Sequence, residues 1–253
     1  MTETATTTTA TTTETTRPVA IITGASRGLG ATLAHGLAEA GWQLVIDART
    51  TEELSQTARE LAELTMVVAI AGDVVDDAHR ERLAEAADRL GGTRLLVHNA
   101  STLGGSPLPA LADFPLPALL DTFEVNVLAP IALTQLVLPQ LRRADPPGAV
   151  LAISSDAAIE AYAGWGGYGA SKAALAHAAA VLAVEELDLR VWSVDPGDMR
   201  TRMHQDAFPG EDISDRPLPE TVVPALLRLI RENPPSGRYL AADFHPATHR
   251  EVA

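Results

Sequence analysis

The chain contains no cysteine, which excludes a disulfide scaffold and a thiolate metal site. Basic side chains are also few, since 19 Lys and Arg stand against 33 Asp and Glu, for a net charge of −14. Nucleic acid and anionic membranes both need a basic surface, so neither is an expected partner. We also predict no metal site.

Residues 1–16 lack the basic start and the apolar middle of a secretory signal, so we expect a cytoplasmic protein. This Thr-rich stretch is typical of a disordered, solvated tail, although an expression artefact or a misassigned start site explains it equally well. We expect residues 17–253 to form a single domain, because one α/β domain of this size is common. The apolar stretch Val125–Leu141 is interrupted by polar residues and prolines, which favours a core or interface helix over a membrane span.

Short apolar runs alternate with longer helical patterns along the chain. The predicted strands are Val19–Thr23, Gln43–Asp47, Met66–Ala71, Arg94–His98, Ala149–Ser154, Arg190–Val194 and Arg238–Ala241. The predicted helices are Gly28–Ala40, Thr51–Leu64, Asp76–Leu90, Leu116–Leu141, Tyr168–Leu187 and Glu220–Glu232. The predicted rim loops are Gly104–Pro117, Asp145–Gly148 and Arg202–Pro219. Uniformly apolar strands that alternate with helices predict an α/β fold, a doubly wound parallel sheet of about seven strands with helices on both faces.

A glycine-rich turn follows the first predicted strand. Its three glycines let backbone N–H groups approach a pyrophosphate at a helix N-terminus, where the helix dipole favours negative charge. An ordinary strand–helix turn is the weaker interpretation, because all three glycines coincide with the start of the first predicted helix. The candidate cofactor-binding residues of this turn are Gly24, Ser26, Arg27, Gly28, Leu29 and Gly30.

A second motif places a phenol and an ammonium four residues apart, at Tyr168 and Lys172. On a helix this spacing puts both side chains on one face. Such a pair alone is commonly a surface pair. Combined with a nucleotide-binding turn, it indicates an enzyme that moves a hydride.

The TGxxxGxG spacing, the later Asn99-Ala100 dipeptide and the Ser…Tyr-x-x-x-Lys set together resemble the short-chain dehydrogenase/reductase family, over nearly all of residues 18–241. The resemblance implies a Rossmann-like fold and a dinucleotide-binding catalytic domain. It also implies hydride transfer between a nicotinamide cofactor and a small carbonyl or alcohol substrate.

The resemblance implies a catalytic role for four residues. Tyr168 exchanges a proton with the substrate oxygen, and Lys172, with the positive nicotinamide, favours the phenolate of a group whose pKa is ordinarily roughly 10. Lys172 also binds the nicotinamide ribose, and Ser155 holds the substrate oxygen. Ser155 lies thirteen residues before Tyr168, the family's usual separation, which favours it over Ser154. Asn126 matches an asparagine that holds a water linking the lysine to solvent, and a buried helix asparagine bonded to backbone is the same structural role.

Further cofactor contacts are implied after three other strands. Asp73, followed by Val74, matches a residue that binds the adenine ring, and helix capping is its alternative role. Asn99 and Ala100 line the cofactor, but Ser101 replaces the family's glycine, which restricts φ and crowds the nicotinamide side. The segment with Pro196, Gly197 and Thr201 resembles the family's PGxVxT, in which the threonine binds the nicotinamide carboxamide.

The end of the second strand favours NADP(H) over NAD(H). Ala48 stands where an NAD-specific site has its ribose-binding acid, and Asp47 falls one residue earlier, on the opposite strand face. Arg49 and Arg27 could both pair with a 2′-phosphate. NAD(H) stays open as the alternative, in which a one-residue register error makes Asp47 the ribose ligand and Arg49 a solvated charge.

The substrate itself is not identified by the sequence. The acidic segment Arg202–Pro219 would close the substrate pocket and disfavours anionic substrates such as acyl-CoA or acyl carrier protein. Tyr162 and Trp165 either shape the opposite wall or pack the loop. Two other functions stay open, a dehydratase or epimerase that retains its nucleotide and a non-catalytic nucleotide-sensing scaffold.

The resemblance also implies a homodimer or homotetramer. The interface would use the predicted helices Leu116–Leu141 and Tyr168–Leu187, the second of which is rich in alanine. A helix buried only within its own monomer is the alternative.

Overall fold

Seven parallel strands form one sheet in the order β3-β2-β1-β4-β5-β6-β7. The computed structural model describes residues 17–245, so the predicted 1–16 tail lies outside the described residues. The strands are β1 (Val19–Ile22), β2 (Gln43–Ala48), β3 (Val67–Ala71), β4 (Thr93–His98), β5 (Ala149–Ile153), β6 (Arg190–Asp195) and β7 (Gly237–Leu240). The predicted doubly wound parallel sheet is confirmed.

Eight α-helices cover the sheet in the described part of the chain. They are α1 (Gly28–Glu39), α2 (Thr51–Ala62), α3 (Asp77–Arg89), α4 (Leu116–Phe123), α5 (Ala129–Arg143), α6 (Gly166–Glu185), α7 (Arg202–Ala207) and α8 (Pro219–Glu232). Most predicted boundaries are right to within a few residues, since capping and fraying decide the last residues of each element.

The strands are apolar on both faces because each face has its own core. Ala20 and Ile22 of β1 pack into one hydrophobic cluster with α1, α2 and α8. Val19 and Ile21 alternate into a second cluster with α3, α5 and α6. This two-sided burial explains the continuous apolar runs in the sequence.

The predicted helix Leu116–Leu141 is interrupted in the structure. A π-helical turn, Glu124–Leu128, separates α4 from α5. The stretch Leu116–Arg143 is long and apolar enough to cross a membrane, with mean hydropathy 1.4. It packs on the sheet, where Thr134 Oγ1 and His98 Nε2 of β4 form a 2.8 Å hydrogen bond. One face of this helical stretch thus packs on the sheet, while Leu120 and Leu128 remain exposed.

The segment Arg202–Pro219 was predicted as a loop, and this is wrong for its first part. Arg202–Ala207 forms α7 because the Thr201 hydroxyl accepts the His204 backbone N–H at 3.2 Å, which caps the helix. The remainder of the segment is irregular up to α8.

The sheet order reverses direction between β1 and β4. Helical connections lead outward from β1 to β3 on one side and from β4 to β7 on the other. Ligands of open parallel sheets bind at the carboxyl ends of the strands beside such a switch point. The residues directly after β1 and β4 are therefore the centre of the site.

Candidate functional site

A cleft of about 780 Å³ runs along the carboxyl ends of the strands. The glycine turn lies on one side of it, and Ser155, Tyr168 and Lys172 lie on the other. All the sequence-predicted cofactor residues line it, and among the predicted catalytic residues only Asn126 does not. Tertiary folding thus brings together motifs that are more than a hundred residues apart.

The glycine turn has backbone geometry that demands glycine. Gly24 and Gly28 have φ values of 68° and 55°, which side chains rarely adopt. A Cβ on Gly30 would lie 2.4 Å from Asn99 Nδ2 and 2.5 Å from the Gly24 carbonyl oxygen. No side chain caps the N-terminus of α1, and no acidic residue lies in its first turn. This helix end therefore offers free N–H groups and a positive dipole to an anion.

Asn99 fastens the end of β4 to the turn after β1. Its Nδ2 donates to the carbonyl oxygens of Thr23 and Gly24 at 2.9 and 3.0 Å. The Thr23 hydroxyl accepts the backbone N–H groups of Asn99 and Ala100 at 3.1 and 3.0 Å. The Asn99 amide thus shapes the floor of the cleft.

Asp47 supports the glycine turn from beneath. Its Oδ1 accepts the Gly24 N–H at 2.8 Å, and its Oδ2 lies 2.9 Å from His79 Nε2 on α3. Burial raises the pKa of Asp47, and the hydrogen bonds to His79 and Gly24 oppose that shift. Both carboxylate oxygens are engaged, so Asp47 serves the fold of the turn. The sequence did not indicate His79, because its partner lies 32 residues away.

The far end of the cleft carries the adenine and phosphate candidates. Asp73 Oδ1 accepts the Val75 N–H at 3.2 Å, while Asp76 is the residue that caps α3. The alternative role of Asp73 as helix cap is therefore not the one it has. Arg49 is exposed beside the cleft, and Arg27 is paired with Glu53 of α2. No sequence motif indicated Glu53, whose partner Arg27 lies 26 residues away.

The Tyr168 phenol lies close enough to the Ser155 and Ser101 hydroxyls for both to lower its pKa, and the Ser155 hydroxyl itself donates to Asp156 Oδ1 at 2.9 Å. Burial raises the pKa of Tyr168 above its ordinary value, the Ser155 hydrogen bond lowers it in part, and the Asp156 carboxylate raises it further. Without cofactor, the net shift of the Tyr168 pKa is upward. The expected stabilisation of the phenolate involves Lys172 together with the positive nicotinamide. Ser101, which replaces the family's glycine, is thus a neighbour of the phenol.

Lys172 is fully buried behind Tyr168. Its Nζ donates to the Ile153 carbonyl oxygen at 2.9 Å and lies 5.5 Å from the centre of the Tyr168 ring. Burial lowers the pKa of Lys172 to about 8. Burial and the Lys172 charge together lower the pKa of His98 to about 3, which leaves that imidazole neutral.

Asn126 lies in the π-helical turn and is fully buried. Its Oδ1 accepts hydrogen bonds from the Thr102 N–H and the Ser101 hydroxyl at 2.8 and 3.1 Å. Its Nδ2 donates to the Thr102 carbonyl oxygen and the Ser171 hydroxyl, both at 2.9 Å. All four hydrogen-bonding positions of the amide are filled, so this side chain joins the loop after β4 to α6.

The loop after β6 forms part of the rim of the cleft that also contains Ser155 and Tyr168. Asp195 Oδ1 accepts the Gly197 N–H at 2.9 Å and so shapes the Pro196-Gly197 turn. The Thr201 side chain lies against Gly28, because a Cβ on Gly28 would be 3.6 Å from Thr201 Cγ2. The α7 helix places His204 and Phe208 at the rim, with ring centres 4.9 Å apart.

Trp165 completes an aromatic wall on the other side of the Tyr168 ring. Its ring lies 5.6 Å from that of Tyr168 and 5.9 Å from that of Phe208. Tyr162 is half exposed and donates to Asp156 Oδ2 at 3.0 Å, so it supports the loop. Asp156 and Asp195 are two carboxylates that raise the Tyr168 pKa, and no motif in the sequence indicated this role.

A family model described as short chain dehydrogenase matches residues 18–212. A 3-oxoacyl-(acyl-carrier-protein) reductase of rhamnolipid biosynthesis from Pseudomonas aeruginosa is 36% identical over 196 residues, which cover 73% of this chain and 74% of that protein. A sepiapterin reductase from Xenopus laevis is 36% identical over 203 residues, which cover 73% of this chain and 74% of that protein.

A solved structure of a short chain dehydrogenase from Shigella flexneri 2a, complexed with NADP, superposes with a TM-score of 0.80. It is 29% identical and covers 89% of this chain and 97% of that one. The similarity therefore extends from the family motifs to the whole arrangement of strands and helices.

Proposed function

The chain belongs to the short-chain dehydrogenase/reductase family of oxidoreductases, and from that premise we propose that it interconverts a carbonyl and an alcohol with NADP(H). The observation that carries the proposal is that Ser155, Tyr168 and Lys172 line the same cleft as the glycine turn, with the Ser155 hydroxyl close enough to the phenol to lower its pKa. An acid/base group beside a nucleotide cradle serves a reaction that couples proton and hydride transfer.

The residues present fit a dinucleotide. The uncapped N-terminus of α1 and the close contact of Gly30 with Asn99 form a turn that accepts a pyrophosphate and leaves no room for a side chain. The residues proposed to hold the cofactor are the glycine turn, Arg49, Asp73, Val74, Asn99, Ala100, Tyr168, Lys172, Pro196, Gly197 and Thr201. When bound, the nicotinamide supplies or accepts the hydride.

In the proposed mechanism, Ser155 and Tyr168 hold the substrate oxygen between two hydroxyl groups. In the direction of reduction, the Tyr168 phenol gives its proton to that oxygen as negative charge develops on it. The raised pKa of Tyr168 keeps the phenol protonated at neutral pH, which suits this direction. Lys172 keeps a positive charge behind the ring, and Asn126 fixes the loop that carries Ser101.

The preference for NADP(H) is supported at the end of β2. Asp47 is almost completely buried and its oxygens contact the Gly24 N–H and His79, which favours a bracing role over a contact with a ribose hydroxyl. Arg27 and Arg49 are cations beside the cleft at this end. A related structure from Shigella flexneri 2a was solved with NADP.

The substrate is proposed to be an uncharged carbonyl or alcohol. Asp156 and Asp195 both line the cleft near Tyr168, and Asp198 and Asp206 line it toward α7. This charge disfavours anionic acyl carriers, although one relative is an acyl-carrier-protein reductase.

A panel of carbonyl substrates followed by NADPH absorbance, with NADH in parallel, tests the proposal. We expect turnover with uncharged carbonyls and consumption of NADPH in proportion to product. Cofactor that stays bound and unconsumed through turnover would instead favour a dehydratase or epimerase. Nucleotide binding with no turnover of any substrate would favour a sensing scaffold.

We also propose a cytoplasmic homo-oligomer. The side chains of Leu120 and Leu128 on the α4–α5 stretch are exposed, as are Val181 and Val184 on α6. The α4 and α6 helices are in contact, and Arg142 near the end of α5 donates to Glu186 just after α6 at 2.9 Å. Adjacent apolar helical faces suit a two-fold interface.

A further inference from the structure

An acidic side chain lies at the end of the cleft where the proposed function expects a 2′-phosphate. Glu53, in the first turn of α2, holds the Arg27 guanidinium, with Nη1 3.1 Å from Oε1 and 3.0 Å from Oε2. The Ser26 hydroxyl donates to the same carboxylate at 3.4 Å. One carboxylate thus engages both polar side chains of the glycine turn.

We propose that Glu53 is a specificity-determining residue that competes with the 2′-phosphate of NADP(H) for Arg27, and so limits the preference for NADP(H) over NAD(H). The inference rests on the proposed function, because it takes Arg27 as a ligand of that phosphate. Glu53 itself does not border the cleft, whereas Ser26, Arg27 and Arg49 do.

The balance of charges decides how the competition ends. The Arg27 and Glu53 side chains are 49% and 39% exposed, and ion pairs that exposed are weak. A phosphate monoester carries roughly 1.5 to 2 negative charges near neutral pH, and its oxygens pair well with a guanidinium. Arg27 can therefore leave Glu53 for the phosphate. Once it has done so, the Glu53 carboxylate is left beside a like charge, which lowers the affinity for NADP(H) alone.

The alternative role for Glu53 is that of a ribose ligand, which would favour NAD(H). Its two oxygens already accept hydrogen bonds from Arg27 and Ser26, and its side chain stands behind them rather than on the cleft. The geometry therefore favours competition for Arg27 over direct contact with the ribose.

Calorimetric titration of the full-length protein with NADP⁺ and with NAD⁺ tests the proposal without relying on activity. We expect Glu53→Gln to tighten NADP⁺ binding about three- to tenfold, with NAD⁺ binding changed less than about twofold. The gain should shrink at high salt and in an Arg27→Ala background. The matched control is Glu52→Gln, which removes the same charge from an exposed neighbour in the same turn and should change NADP⁺ binding less.

Three results would overturn the proposal. They are an unchanged NADP⁺ affinity in Glu53→Gln, an equal gain in Glu52→Gln, and a loss of NAD⁺ affinity in Glu53→Gln, which would make Glu53 a ribose ligand. A wild-type protein that binds neither dinucleotide would instead contradict the proposed function. The two failures are therefore distinguishable.

Discussion

At the residue scale, the central feature is a buried phenol whose surroundings oppose its ionisation. Burial and the Asp156 carboxylate raise the pKa of Tyr168, and the hydroxyl of Ser155 lowers it only in part. A protonated phenol is a ready proton donor, whereas proton abstraction from an alcohol requires the phenolate. This protonation state is the one that the proposed mechanism requires for reduction of a carbonyl.

Tyr168→Phe should lower kcat about 10²- to 10⁴-fold, because it removes the phenol that donates the proton in the proposed mechanism. Cofactor affinity should change little, because Tyr168 is one of many proposed cofactor contacts and phenylalanine keeps its ring. Tyr162→Phe is the matched control, since it removes a phenol that is exposed and bonded to Asp156. A kcat close to the wild-type value in Tyr168→Phe would exclude the acid/base role.

The reductive rate should fall as pH rises through about 8. Burial lowers the pKa of Lys172 to about 8, so the ammonium loses its charge in this range. Neutral Lys172 gives less support to negative charge that forms on Tyr168 during proton transfer. The measurement is kcat/KM for carbonyl reduction from about pH 6 to 10. A Lys172→Met variant should lose both this dependence and most activity, and a flat profile in the wild type would contradict the role.

The same shift affects stability in the opposite sense. Because the folded pKa of Lys172 lies below the ordinary value of 10.5, the unfolded chain binds more protons between about pH 8 and that value. The Lys172 contribution to the free energy of unfolding therefore increases with pH in this window. The fall in activity above pH 8 should therefore not be accompanied by a loss of stability due to Lys172.

At the element scale, the glycine turn depends on a tie between β2 and α3. Asp47 of β2 holds the Gly24 N–H, and His79 of α3 holds the second oxygen of Asp47. Both side chains are almost completely buried. The cofactor turn is thus braced by two elements that do not themselves reach the reaction centre.

His79→Leu should destabilise the protein by about 3 kcal/mol, because it leaves one oxygen of a buried carboxylate without a partner. It should also weaken NADP⁺ binding more than it changes kcat, since the Gly24 N–H loses a rigid acceptor. Thermal unfolding and titration with NADP⁺ are the measurements. His35→Leu is the control, because His35 is only partly buried and pairs with exposed Glu60. Equal losses in both variants would mean that the buried tie has no special role.

At the scale of the whole molecule, the acidic chain presents adjacent apolar surfaces on α4, α5 and α6. Val184 is 74% exposed and Leu120 is 70% exposed, although neither lies near the cleft. Exposed apolar surface of this kind has an unfavourable free energy in water, which supports association through these helices.

Val184→Glu should therefore lower the mass measured by light scattering from that of a dimer or tetramer to that of a monomer. Met66→Glu is the matched control, because Met66 is 58% exposed just before β3, at the far edge of the sheet. Deletion of residues 1–16 should leave the mass of the assembly unchanged. A monomeric wild type at micromolar concentration would refute the oligomer, and dissociation on deletion would show that the tail takes part.

The sequence by itself determined the helix and sheet layers, the doubly wound parallel type of sheet and the residues around the cleft. These features follow from local periodicity and from motifs of fixed spacing. The glycine turn, Ser155, Tyr168 and Lys172 were readable in this way. The π-helical turn at Asn126 was not, and the Asn126 side chain in this turn bonds Thr102 and Ser171, which are distant in the sequence.

Only the tertiary structure decided the electrostatics of the site. The partners that set the state of Tyr168, Asp47 and Arg27 are Asp156, His79 and Glu53, and no local pattern joins them. Burial determined the sign of the Tyr168 and Lys172 pKa shifts, and burial is a property of the packed chain. Spacing along a sequence can show which groups meet a ligand, but only packing fixes their charge.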